Sequence, residues 1–212
     1  MREIDLTGRS DESMRELLAP AARALKEGAL VVLPTTTYYG LCADATNEEA
    51  VRRVFSAKKR DASKPLIILV DSIGMMKPFV REVPDSVKEL EWKLGSRGLS
   101  YVLPASDRLP REVTAGTGTV AVRVERNEVV LEVLTLLGQP VVAPSANVEG
   151  ADPPRRLEEA VAPLRDWIEF AVRWYPTSAT AASTIVDLTG EGFSVVRAGT
   201  VPLAEIEKVL GA

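Results

Sequence analysis

The sequence contains no histidine and a single cysteine, Cys42. Without histidine, a Ser-His-Asp triad, a Cys-His pair, HExxH zinc chemistry and histidine general-base catalysis are all excluded. One cysteine cannot form an internal disulfide, which fits a reducing compartment and makes the cytoplasm the expected location. Long apolar runs are also missing. The longest, at 29–34 and 66–70, fall well short of the about 20 residues that cross a bilayer. The opening MREIDLTGRSDES is polar and offers no apolar core for a signal peptide, so neither secretion nor membrane insertion is expected. Excess positive charge is lacking as well: 26 basic against 30 acidic residues leave a net charge of −4. No global positive field draws the chain onto nucleic acid or an anionic membrane, and any phosphate binding must be local. The glycine signatures GxxxxGK[ST] and GxGxxG are absent, so a nucleotide site here is neither a P-loop nor a Rossmann crevice.

What is present describes an ordinary globular protein. The chain has 212 residues, 46% hydrophobic and 26% charged, enough to bury one sizeable core, so a single domain over 1–212 is expected. No linker, low-complexity tract or internal repeat interrupts it. Apolar residues recur at helical spacing over 11–27, and Gly28 stops that helix before a buried strand at 29–33. Thr46, Asn47, Glu48 and Glu49 form a capping-box sequence ahead of a helix over 47–58. Strands are expected at 66–70, 99–103, 119–124, 140–143, 168–172, 184–188 and 194–197. Helices are expected at 72–80, 85–94, 129–137, 157–164 and 203–210. Such interleaving indicates an α/β domain with a mixed sheet, its late strands joined as hairpins.

Four segments carry the chemistry. Residues 34–40, Pro-Thr-Thr-Thr-Tyr-Tyr-Gly, follow a buried strand and put hydroxyls where α/β sheets bind ligands; a turn capped by its own Ser/Thr-type hydroxyls is the alternative. Lys58, Lys59, Arg60 and Lys64 place four cations within seven residues at a helix end. They form either an anion clamp or a solvated offset to the helix dipole. Residues 141–147 run from a strand into a small polar loop whose Ser145 and Asn147 can bond phosphate or a base, or simply make a turn. Residues 183–188 read as a strand with Ser183 and Thr184 at its entrance. With neither histidine nor cysteine pairs for ligation, no metal site is expected beyond Mg²⁺ carried in on nucleotide phosphates.

In their order these segments resemble the Sua5/YrdC/YciO family. The resemblance spans roughly residues 15 to 200 and rests on PTTTYYGL, the KKR and KPL pair, TVAVRV, VVAPSANVEG and STIVD. It implies a twisted open mixed sheet with helices packed on it and a concave basic cavity. It also implies synthesis of threonylcarbamoyl-AMP and pyrophosphate from L-threonine, bicarbonate and ATP with Mg²⁺, for modification of tRNA to N6-threonylcarbamoyladenosine. By that resemblance Lys58 and Arg60 are the catalytic cations. Arg60, Lys64, Thr119, Ala143, Ser145, Asn147 and Arg197 bind ATP, and Thr35, Thr37, Arg123 and Ser183 bind threonine. Later-acting transferase components of tRNA modification are the implied partners, and the short form without an extra carboxy-terminal domain is expected. The same resemblance offers an alternative, a non-catalytic module binding double-stranded RNA or tRNA, against which the charge of −4 and the lack of an aromatic platform count. The family pattern is broken at Thr36, where an acid is usual, at residues 96–100, at Asn127, where a histidine is frequent, and at Pro153. These departures leave nucleotide binding better supported than the full reaction, with a paralogue acting on another amino acid as a variant of the reading.

Overall fold

A computed structural model describes residues 1–8, 11–175 and 181–211. In chain order the elements are β1 (Arg2–Asp5), α1 (Asp11–Lys26), β2 (Leu30–Pro34), β3 (Tyr39–Asp44), α2 (Glu48–Lys58), β4 (Ile67–Val70), α3 (Ile73–Met76), α4 (Asp85–Leu94) and β5 (Leu99–Pro104). Then come α5 (Arg111–Thr114), β6 (Thr119–Val124), α6 (Glu128–Leu137), β7 (Val141–Val142), α7 (Leu157–Val161), β8 (Ile168–Arg173), β9 (Thr184–Asp187), β10 (Ser194–Arg197) and α8 (Leu203–Leu210). The strands make one open mixed sheet in the order β1-β8-β2-β3-β7-β4-β6-β5-β9-β10. Parallel pairs (β1 with β8, β2 with β8, β4 with β6, β5 with β9) occur together with antiparallel ones, as the mixed-sheet expectation required.

Alternation along the strands divides the core between the two faces of the sheet. On β2, Leu30 and Val32 join the larger cluster with Val51 and Val54 of α2, while Val31 and Leu33 join a second cluster with Leu18 of α1 and Val133 of α6. With both of its faces covered, β2 is apolar throughout and reads as a short continuous run.

Two strands escape the sequence pattern. β1 is polar and largely exposed; it is an edge strand held by parallel pairing to β8, with Arg2 over the ring of Phe170 at 4.0 Å. β3 is entirely buried, but its Tyr-Gly-Leu-Cys-Ala-Asp string follows the hydroxyl-rich segment so closely that the two look like one loop. The helix expected at 72–80 is four residues of α3 followed by a 3-10 turn at Lys77–Phe79, because Pro78 denies the backbone a further donor. The strand at 168–172 is not part of a hairpin, since it lies between β1 and β2 and parallel to both; the late hairpin is β9 with β10 alone. Among the described residues no helix is long and apolar enough to cross a membrane.

Asn127 begins α6, its side-chain oxygen accepting from the Val129 and Val130 amides at 3.0 and 3.4 Å. Asn127→Ala is expected to cost about 1 kcal/mol. For a domain of this size that is a fall in Tm of about 2–4 °C, readable by calorimetry.

Candidate active site

On β6, Val120, Val122 and Val124 enter the larger core cluster, so Ala121 and Arg123 must face the other way. They line a cavity of about 250 Å³ on the sheet face that α1 and α6 cover only in part. The same parity brings Gly40 of β3, Ile67 of β4 and Ile185 of β9 into its wall. Gly40 matters by its size: a Cβ there would stand 3.2 Å from the Thr35 methyl and 3.4 Å from the Ala143 side chain.

Of the expected site residues, Thr35, Thr37, Arg60, Arg123, Ala143, Ser145, Ser183 and Arg197 all line this one cavity. They come from six separate stretches of chain. Lys58, Lys64, Thr119 and Asn147 stand outside its wall, and each has its own structural engagement. Lys58 is buried and donates to the backbone carbonyls of Ser145 and Asn147. Lys64 pairs with Glu149, which also accepts from the Asp61 amide at 3.0 Å, so the basic segment is stitched to the 145–149 loop. Asn147 donates its amide to the carbonyls of Val148 and Ala151 at 3.0 and 2.7 Å. Thr119 shares a contact of 3.1 Å with the Thr117 hydroxyl.

The four cations of the basic segment therefore divide. At Lys59 the chain turns left-handed (φ 51°), and the Lys59 and Arg60 amides close α2 on the carbonyls of Ser56 and Phe55. This turn leaves Lys59 in solvent and puts Arg60 in the cavity wall, braced by one bond of 3.0 Å to the Pro65 carbonyl. Across the cavity Arg197 donates to the Ser183 carbonyl and hydroxyl at 2.9–3.0 Å, and Ser100 donates to that same hydroxyl at 2.9 Å.

Among the described residues one carboxylate forms an ion pair with these arginines. Glu125 is fully buried behind Arg123 and accepts its guanidinium at 2.7 Å. Burial opposes charge on this carboxyl, but Arg123, the Thr36 hydroxyl and the Arg126 and Asn127 amides together hold it below the usual carboxylate range. Arg60 and Arg197 form no ion pair with a carboxylate among the described residues; burial lowers both, outweighing the more distant Glu149 and Asp61 at Arg60, and Arg123 lowers Arg197 further. Burial and the charge of Arg60 also bring the Lys58 ammonium down to about 8. The Nε atoms of Arg60 and Arg123 are buried without a hydrogen-bond partner among the described residues. Desolvated cations with idle donors are an arrangement that an anion completes.

The model of the Sua5/yciO/yrdC family, described as telomere recombination, matches residues 23–199. The chain belongs to this family. It is 39% identical over 191 residues to a threonylcarbamoyl-AMP synthase of Pyrococcus abyssi, covering 90% of this chain and 56% of that protein. It is 37% identical to a putative threonylcarbamoyl-AMP synthase of Mycobacterium tuberculosis over 92% of this chain and 89% of the other. The chain thus spans about half the length of the first relative and most of the second. In three dimensions it matches P. abyssi Sua5 complexed with L-threonine at a TM-score of 0.93 and 36% identity, over 100% of this chain and 61% of that one.

The family departures have local physical accounts. Thr36 and Asn127 meet at Glu125, the first through its hydroxyl and amide, the second through its amide. Ser100 ends the divergent 96–100 stretch and still supplies a hydroxyl to Ser183. Pro153 lines the cavity. Sequence reasoning missed Glu125, because a lone Glu after a strand gives no signal of burial, and it gave Tyr38 of the 34–40 segment no individual role although that side chain lines the cavity.

Proposed function

We propose that the chain is a threonylcarbamoyl-AMP synthase acting as one YrdC-like domain in the cytoplasm. L-threonine, bicarbonate and ATP give threonylcarbamoyl-AMP, pyrophosphate and water. The observation that carries this reading is the convergence of Arg60, Arg123 and Arg197 with Thr37 and Ser145 on one cavity, because all three substrates are anionic or carry an anionic group.

The threonine carboxylate lies toward Arg123, whose Nη1 already donates to the Thr37 hydroxyl at 3.0 Å. Thr35 fixes that end: its hydroxyl donates to the Tyr38 carbonyl at 2.7 Å and accepts from the Thr37 amide at 3.2 Å. Ser183, held by Ser100 and Arg197, spans the amino-acid and phosphate ends. Arg60 and Arg197 take the phosphates, and the 143–145 stretch takes the nucleoside. Lys58, donating behind that stretch, sets its position, while Lys64, Thr119 and Asn147 serve the nucleotide from the rim. Mg²⁺ accompanies the ATP as part of the substrate.

In the reaction the threonine amine bonds to the carbon derived from bicarbonate, with loss of water. An oxygen of the resulting carbamate then attacks the α-phosphorus of ATP, and pyrophosphate leaves. The protein orients the two nucleophilic encounters and neutralises the charge that builds on the phosphates. Its product is expected to pass to the transferase components that modify tRNA. Purified protein supplied with ATP, Mg²⁺, bicarbonate and threonine is expected to release pyrophosphate and a threonylcarbamoyl adenylate, seen by chromatography with mass detection. Threonine-independent pyrophosphate, or a tRNA mobility shift without any ATP binding, contradicts the proposal.

A further inference from the structure

We infer that Glu125 is a positioning residue for the amino-acid end of the cavity, acting through Arg123; this rests on the threonine-binding reading above. Its two carboxylate oxygens have different audiences. One, Oε1, accepts from the Thr36 amide (3.1 Å), the Thr36 hydroxyl, the Arg126 amide (2.8 Å) and the Asn127 amide (3.1 Å). The other, Oε2, accepts from Arg123 Nη2 at 2.7 Å. A single buried side chain therefore joins the 35–37 segment after β2 to the end of β6, and sets the plane of the guanidinium. That plane directs Nη1 to the Thr37 hydroxyl at 3.0 Å. The Nε of Arg123 has no partner among the described residues, so its hydrogen-bonded orientation rests on Glu125 and Thr37.

A carboxylate beside Arg123 has two possible effects on an arriving anion, and they differ in sign. As a neutralising charge it repels the substrate carboxylate, and its removal tightens binding. As an orienting acceptor it holds Arg123 in the productive plane, and its removal loosens binding. Glutamine separates the two. The three amides and the hydroxyl at Oε1 require the amide oxygen there, which leaves the –NH2 group facing Arg123 Nη2, donor against donor. Glu125→Gln therefore keeps the loop satisfied and releases the guanidinium.

The test is calorimetric titration of L-threonine into the wild-type chain and variants, with ATP and Mg²⁺ present, and of ATP alone. Glu125→Gln is expected to weaken threonine at least tenfold without weakening ATP, since losing a buried negative charge cannot loosen phosphates from Arg60 and Arg197. If Glu125 acts through Arg123, the double variant Glu125→Gln/Arg123→Lys binds threonine no more weakly than Arg123→Lys alone. Unchanged or tighter threonine binding in Glu125→Gln overturns the inference and leaves the function standing. A wild-type chain that binds ATP but no threonine overturns both. Should Glu125→Gln fail to fold, Thr36→Val removes one donor to the same carboxylate; it is expected to weaken threonine about threefold with ATP unchanged, and no change there overturns the inference.

Discussion

Arg123→Ala is expected to destabilise the protein by about 3 kcal/mol at neutral pH, a fall in Tm of about 6–12 °C, in addition to abolishing threonine binding. The cause is the partner left behind. Glu125 has no exposure to solvent, and removing one member of a buried ion pair strands the other charge. The donors that remain at its other oxygen, from Thr36, Arg126 and Asn127, keep the loss at the lower end of the range for such pairs. The pH dependence supplies a second signature. In the wild type the folded carboxyl titrates below its usual range, so its contribution to stability is full above that range and is lost as pH falls through it. In Arg123→Ala desolvation is the dominant influence and pushes the carboxyl upward, so the variant gains relative stability as pH falls and Glu125 takes up its proton. The gap between wild type and variant therefore narrows from pH 7 to pH 4. Denaturant unfolding at the two pH values measures it, and a gap that is constant or widens toward acid contradicts the burial of an uncompensated carboxylate.

The fold was legible wherever periodicity and burial agree. α1, α2 and α6 present an apolar stripe to one side and carry their stops in sequence, as with Gly138, which adopts φ 70° after α6. β4 was visible as an apolar run whose residues enter both core clusters, and β6 as alternating valines whose other face, Ala121 and Arg123, lines the cavity. β1 was not, since an edge strand held by backbone pairing and salt links such as Arg2 with Glu169 has no need of apolar residues. Nor could composition place β8 between β1 and β2, a pairing more than 130 residues distant in sequence from each partner.

The site was legible as a set of residues and illegible as a division of labour. Eight of the twelve residues expected from the family pattern share one cavity wall. What composition left open at the basic segment was which of its cations turn inward, and that is decided by backbone geometry. A left-handed turn at Lys59, a residue that usually avoids that conformation, ends α2 and alternates the directions of its neighbours. Lys58 goes to two carbonyls, Lys64 to Glu149 and Arg60 to the cavity. Glu125 was hidden for the opposite reason. A charged residue at the end of a strand ordinarily faces water, and only the convergence of Thr36, Arg123 and two amides makes its burial stable.

Arg60→Ala is expected to weaken ATP by about 1.5–3 kcal/mol, one to two decades in Kd, with little change in stability. Arg60 gives the fold a single bond to the Pro65 carbonyl, whereas its Nε is buried and unpartnered and its charge has no carboxylate within ion-pair distance among the described residues. A phosphate supplies what the site lacks: an acceptor for the idle donor and a charge that reverses the effect of burial on the guanidinium. The contact is charge-assisted and partly desolvated, which places it above the cost of an ordinary hydrogen bond. Lys59→Ala is the internal control. Its side chain is exposed, one residue away in sequence, and removes the same unit of charge from the same segment. If the segment acted only as a diffuse positive field, the two variants would weaken ATP equally and by little, and both losses would vanish at high salt. If Arg60 grips phosphate directly, Lys59→Ala leaves Kd within about twofold while Arg60→Ala does not, and a substantial part of the Arg60 effect persists in salt. Calorimetric titration of ATP into the three proteins at low and high ionic strength decides between them. Equal affinities for wild type and Arg60→Ala would show that the phosphates lie elsewhere in the cavity and remove the main support for the nucleotide half of the proposed reaction.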